Sequence, residues 1–266
     1  MKVAIYQVDA FAERPFEGNP AAVVPLEAWP DEAVLQAVAA ENNLAETAFF
    51  LPEGGAYRLR WFTPTVEVDL CGHATLASAH VLFTHLGFAA PEIDFETRSG
   101  RLTVKRDGDL IVMDFPAAQA KPCPEPEGLA AALGAKPILT VKTGNLMALF
   151  GSAAQVARLD PDFPSLKRIL IALGGAGLIC TAPGDQGSGF DFVSRFFAPA
   201  HGIDEDPVTG SAHCTLVPYW AKKLGKLDLT ARQISKRGGT LLCSDAGARV
   251  VMRGRCADYM KGEISF

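Results

Sequence analysis

The chain has no apolar run approaching the roughly 18 residues that a membrane span requires, so no membrane helix is expected. It has no basic excess: 25 Lys and Arg against 30 Asp and Glu leave a net charge of −5, which argues against a nucleic-acid binder and its usual basic face. The densest basic cluster, Lys222-Lys223 with Lys226, falls near the end of an expected helix, where it complements the helix dipole rather than meeting phosphates. No secretory leader is legible, because Met1 to Tyr6 alternates into Asp9 as a first strand would. The 6 cysteines form no CxxC pair and no disulfide-dense pattern, which points to reduced thiols and a cytoplasmic location. Cys71, His73, His213 and Cys214 lack zinc spacings, so no metal is expected. Gly174-Gly175-Ala176-Gly177 lacks both the GxGxxG and the lysine-containing phosphate-loop patterns and reads as a turn.

What is present is a repeat. Arg60-Trp61-Phe62-Thr63-Pro64, Cys71-Gly72-His73-Ala74-Thr75 and an apolar stretch to Gly87 make one copy. Arg195-Phe196-Phe197-Ala198-Pro199, Thr209-Gly210-Ser211-Ala212-His213 and an apolar stretch to Gly225 make the other. Upstream, Glu46-Thr47-Ala48 is matched with Cys180-Thr181-Ala182, and Asn19 with Asn145. Each copy reads as a strand, a polar loop and a glycine turn into a helix. Such a helix N-terminus favours an anion, and glycine lets a ligand approach its N–H groups. A repeat this long is a duplicated domain. With the lobes facing each other, two anion-friendly helix ends would serve one cleft for a small carboxylate.

At 266 residues the chain has room for two cores. Strands are expected at 3–9, 21–25, 47–51, 57–62, 92–97, 101–106, 110–115, 138–142, 146–151, 169–172, 177–181, 190–197, 239–242, 248–253 and 262–266. Helices are expected at 31–41, 73–86, 127–133, 152–157, 211–224 and 230–235. In the helix at 31–41, Pro30, Asp31 and Glu32 are assigned to the first turn. The helix from His73 is small or apolar on nearly every side and should be wrapped by a sheet, while Pro218 should bend its partner. The stretch 117–126, with Pro122, Pro124 and Pro126, is the best linker. The expected class is α+β: lobes 1–118 and 127–266, each a barrel-like, largely antiparallel sheet around a central helix, with the last strand free to return to the first lobe.

Polar residues at apolar positions are the catalytic candidates. Glu46 stands at the threshold of an apolar strand, where desolvation would raise its pKa towards neutrality for general acid/base work. His73 opens the first helix, whose field should keep the imidazole neutral. Asp206 belongs to the acidic run Asp204-Glu205-Asp206, which exceeds what helix capping needs.

These blocks carry a resemblance. Asn43 to Phe49, Cys71 to Thr75 and Asp206 to His213 are similar to signature blocks of the phenazine-biosynthesis PhzF-like family, as are Val8 to Phe11 and Gly18 to Ala21. The resemblance covers the chain in order and implies a diaminopimelate epimerase-like fold with the active site between two similar lobes. It implies a homodimer with no metal or organic cofactor. The implied activity is isomerisation by a proton shift on a small carboxylate. Glu46 matches the general acid/base, His73 and Asp206 the residues that assist proton transfer and hold the substrate, and Gly72, Gly210 and Ser211 the groups that bind its carboxylate.

The epimerase branch places a cysteine before the helix glycine in both lobes. Here Cys71 holds the first position, where the helix N-terminus would partly activate it, but Thr209 holds the second. A one-base shift by Glu46 therefore fits better than two-thiol racemisation. The alternatives are a non-catalytic metabolite- or partner-binding member of the fold and an amino-acid racemase or epimerase. Cleft-wall residues are not legible, so the substrate stays unnamed.

Overall fold

The alternating apolar residues at the N-terminus form a strand paired on both edges. In the computed structural model, which describes residues 1–266, β1 (Lys2–Ala10) runs antiparallel to β2 (Asn19–Pro25). Helix α1 (Glu32–Asn42) then crosses over to β3 (Glu46–Glu53), parallel to β2. A two-glycine turn, Gly54-Gly55 with φ of 60° and 87°, reverses the chain into β4 (Ala56–Phe62). Short β5 (Glu67–Val68) borders β4, and α2 (Gly72–Thr84) crosses over to β6 (Glu92–Thr97), parallel to β4. Then β7 (Gly100–Asp107) and β8 (Leu110–Pro116) continue antiparallel.

The second copy runs β9 (Lys121–Cys123), α3 (Leu129–Leu133), β10 (Leu139–Lys142), β11 (Leu146–Leu149), α4 (Ala153–Ala157), α5 (Phe163–Ala172) and β12 (Leu178–Pro183). It continues through β13 (Phe192–Ala198), β14 (Ile203–Asp206), α6 (Gly210–Leu224), β15 (Asp228–Gln233), β16 (Gly239–Asp245), β17 (Arg249–Gly254) and β18 (Cys256–Ser265). Its pairing repeats the first copy: β10–β11 antiparallel, β11–β12 parallel, β12–β13 antiparallel, β13–β15 parallel, β15–β16 antiparallel. The chain divides into Met1–Asp114 with Met252–Phe266, and Phe115–Val251. In the first unit β18 pairs along β1, and in the second β9 pairs with β10, so the proline-rich stretch carries a paired strand.

Each unit is α+β, a largely antiparallel sheet packed on one long helix. From His73 to Ala79 every residue of α2 is buried, and Thr75 and Ser78 satisfy their hydroxyls on the carbonyls of Cys71 and Ala74. In α6, Pro218 lacks the N–H that would meet Cys214, and Ala118 N–H takes that carbonyl at 2.9 Å.

Two expected elements are corrected. The apolar run at 169–172 is not a strand but the end of α5, which begins at an Asp162 cap and buries Leu166 and Leu170 one turn apart. The expected helix at 230–235 is strand β15, whose burial alternates. Helix α1 starts one residue later than expected: Asp31 is its N-cap, Glu32 opens it and Pro30 lies outside. No helix is long and apolar enough to cross a membrane.

Candidate active site

The Arg-aromatic-Phe motif is the first half of a half-buried ion pair. Arg60 grips Glu67 of β5 with two hydrogen bonds of 2.7 Å, and its guanidinium lies 5.1 Å from the Phe62 ring. Arg195 does the same to Glu205 of β14 at 2.7 and 2.8 Å, lying 4.7 Å from Phe197. Glu205 is thereby absorbed by structure. In both units the pair holds the short strand just ahead of the helix whose first residue is Gly72 or Gly210.

In the first unit this delivers Cys71 and His73 beside the start of β3. Glu46 Oε2 lies 3.0 Å from His73 Nε2, with the two side chains only 18% and 7% exposed. The carboxylate sits off the ring N–H direction, so Oε2 is buried without an aligned hydrogen bond. On the other edge of the ring, His73 Nδ1 is 3.2 Å from the Asn19 amide and 3.5 Å from Cys71 Sγ. A carboxamide serves either ring state, donating to a neutral Nδ1 or, turned over, accepting from an imidazolium.

Burial alone would lower the pKa of His73. The Cys71 sulfur, when it is ionised, and the Glu46 carboxylate oppose burial and raise the imidazole above its usual value; with the thiol protonated, the carboxylate is the charge that acts. The direction is opposite to the expectation of a ring kept neutral by the helix field, because the Glu46 carboxylate lies 3.0 Å from Nε2. Cys71 moves up as well, because burial and the Glu46 charge exceed the help from His73. Its thiol is thus held protonated rather than activated by the helix end. Glu46, Cys71 and His73 also bring metal-donor types within 4.8 Å of one another.

In the second unit, Asp206 accepts a short hydrogen bond from the Thr209 hydroxyl. Buried Gln233 clamps the same turn: its amide N–H donates to the Asp206 carbonyl at 2.8 Å, and its oxygen accepts from Thr209 N–H at 2.9 Å. Gln233 gave no sequence signal, since it lies at the end of the strand misread as a helix. Gly210 is the first residue of α6, which has no side-chain cap, and Ser211 beside it is exposed. His213 sits inside, its Nδ1–H donating to the Thr209 carbonyl at 2.8 Å; burial pushes its pKa down to about 4, the opposite environment to His73.

The repeat is asymmetric at its chemistry. Arg60 pairs with Phe49 across the β3–β4 hairpin, and Arg195 pairs with Cys180 across β12–β13. By this hairpin register Cys180 stands where Phe49 does, which does not keep the match of Glu46 with Cys180 and places Gly177 three residues ahead. A Cβ at Gly177 would fall 2.2 Å from Cζ of the buried Phe196 ring, so no side chain fits there. Gly177→Ala should accordingly lower stability by about 1–3 kcal/mol in denaturant unfolding; an unchanged midpoint and slope would mean that the ring moves aside freely.

A duplicated α+β unit, each copy a largely antiparallel sheet on one long helix, is the architecture of the diaminopimelate epimerase-like fold. The chain belongs to the phenazine biosynthesis-like protein family, whose description matches residues 8–262. It is 52% identical over 264 residues to a Pseudomonas aeruginosa protein named as an uncharacterized isomerase, covering 99% of each chain. It superposes on a phenazine biosynthesis PhzF-family structure from Enterococcus faecalis with a TM-score of 0.95 at 45% identity, covering 100% of both. A hydroxyproline epimerase of Agrobacterium vitis shares the fold alone, with a TM-score of 0.62 at 12% identity over 99% of this chain and 92% of its own.

Proposed function

We propose that the protein is a cofactor-free isomerase that shifts a proton on a small carboxylate substrate, with Glu46 as the base that removes it and the acid that returns it. The observation that carries this reading is the Glu46–His73 pair: a buried carboxylate oxygen 3.0 Å from an imidazole nitrogen and without an aligned hydrogen bond of its own. An oxygen left so is ready to accept a proton from carbon. His73, biased towards its charged form, keeps a proton in reach of the carboxylate and of a substrate oxygen. The uncapped α2 start at Gly72 supplies N–H groups for the substrate carboxylate. Asp206, Gly210 and Ser211 take the substrate-holding roles that the resemblance assigns them. The names of the relatives support an isomerase without naming its substrate.

Wild-type protein incubated with candidate carboxylates in deuterated water should exchange hydrogen for deuterium at carbon. A carboxylate that binds but never exchanges would favour the metabolite-binding alternative. The amino-acid epimerase alternative needs a second thiol on the opposite face of the substrate, and Thr209 has instead a hydroxyl committed to Asp206. Since Cys71 holds its proton, Cys71→Ser should retain roughly a tenth or more of the turnover, the loss arising from altered packing around His73. Abolished turnover in that variant would make the thiol the base.

A further inference from the structure

Two histidines near the end of α2 converge on one carboxylate oxygen, and the acid/base site uses neither. His80 Nε2 and His85 Nε2 each lie 3.0 Å from Asp258 Oδ1. All three donor atoms fall within 4.8 Å of one another. Helix geometry alone would not produce this, because positions five apart point about 140° away from each other on an ideal helix. The helix stops in between: His85 is its C-cap, and the N–H groups of both His85 and Leu86 close on the Val81 carbonyl. The His85 side chain therefore departs from the terminating turn and reaches the same oxygen as His80. Tyr6 stacks on the His85 ring at 4.9 Å, and the two imidazoles meet edge to face at 6.0 Å. Asp258 comes from β18, opposite Val8 of β1.

From this geometry we propose that His80, His85 and Asp258 form a site for a divalent transition ion of the zinc class. Two imidazole nitrogens and one carboxylate oxygen suit a borderline cation, whereas calcium and magnesium take oxygen ligands. A tetrahedral zinc with bonds of about 2.0–2.1 Å spaces its ligands about 3.3–3.4 Å apart. The two 3.0 Å separations need open only by a few tenths of an ångström to admit it. The imidazoles are 15% and 20% exposed and the carboxylate 44%, so the ion is anchored from inside while its fourth position faces water. Each imidazole that binds through Nε2 keeps its remaining proton on Nδ1, and one that begins as imidazolium releases a proton to solvent. The bound ion ties the last strand of the chain to the central helix of the first unit, a structural role outside the proton-transfer chemistry.

The test is titration of metal-free protein with Co2+ as a visible substitute for Zn2+. One ion per chain should bind with ligand-field bands and no thiolate charge-transfer band, and Zn2+ should raise the Tm. The double variant His80→Gln, His85→Gln should bind more than about 100-fold more weakly, since even an outer hydrogen-bond partner of a metal ligand is worth about 10–100-fold. Cys71→Ser should bind as the parent does. Absence of binding, binding that survives the double variant, or binding lost with Cys71→Ser would overturn the proposal. Should the double variant fail to fold, nitrogen-15 shifts of the histidine rings in the parent protein decide the matter. Zn2+ should move Nε2 of His80 and His85, and shifts confined to His73 would refute the site.

Discussion

Glu46→Gln should lower turnover by roughly 100-fold or more while leaving carboxylate binding close to that of the parent. The glutamine keeps the length and most of the volume of the glutamate, so the start of β3 and the packing against the α2 N-terminus should survive. It removes the carboxylate proposed to take the proton and return it. It also removes the negative charge that helps to hold His73 in its charged form, so the imidazole pKa should fall at the same time. Both losses act on the proton and neither on the helix N–H groups that attract the carboxylate. The measurement is deuterium exchange and turnover on one substrate, with binding of a carboxylate ligand followed separately. Near-parental turnover in Glu46→Gln would sink the assignment. Loss of binding together with turnover would mean that Glu46 holds the substrate rather than works on it.

The duplication was legible because its landmarks are residues with physical jobs. Arg60 and Arg195 stack on a phenylalanine two positions on and reach a glutamate on the next strand. Gly72 and Gly210 open helices whose interiors are buried. The glutamates themselves were not legible, since Glu67 and Glu205 stand at different distances from their arginines in the sequence. The β12 register was misread for a related reason. Thr47-Ala48 and Thr181-Ala182 look alike, but strand pairing is set by which faces are buried and by the hairpin, not by dipeptide identity. The α5 error had another cause: Ile169-Leu170-Ile171 is an apolar run short enough to suit a strand, and only the Asp162 cap outside it marks a helix.

Residue types and order singled out Glu46 and His73, which the structure brings to 3.0 Å from two elements distant in sequence. Their coupling was beyond the sequence because it depends on distance. A histidine at a helix start is ordinarily pushed towards neutrality, yet a carboxylate 3.0 Å away opposes that bias. Gln233, which braces the Asp206–Thr209 turn, was hidden for the same reason: nothing in its sequence neighbourhood announces a buried amide.

Trp220→Ala should cost about 3–5 kcal/mol of stability, a large fraction of what a domain of this size has. Trp220 is fully buried, lies flat against Phe192 at 5.7 Å with the rings 3° apart, and donates its indole N–H to Thr181 Oγ1 at 3.0 Å. Truncation removes the apolar contact, opens a cavity between α6 and the sheet, and takes a donor from a buried hydroxyl that itself donates to Val193. Trp220→Phe separates these terms, since it keeps most of the ring burial and loses the hydrogen bond; its cost should be clearly smaller. The same two variants ask whether the second unit is needed for proton transfer. Helix α6 begins at Gly210, beside the Asp206–Thr209 turn, so loosening its core should disturb that turn before it disturbs Glu46 and His73. At a temperature where Trp220→Ala remains folded, substrate KM should rise more than kcat falls if Asp206, Gly210 and Ser211 hold the substrate. A fall in kcat with KM unchanged would assign Asp206 to the proton-transfer step instead.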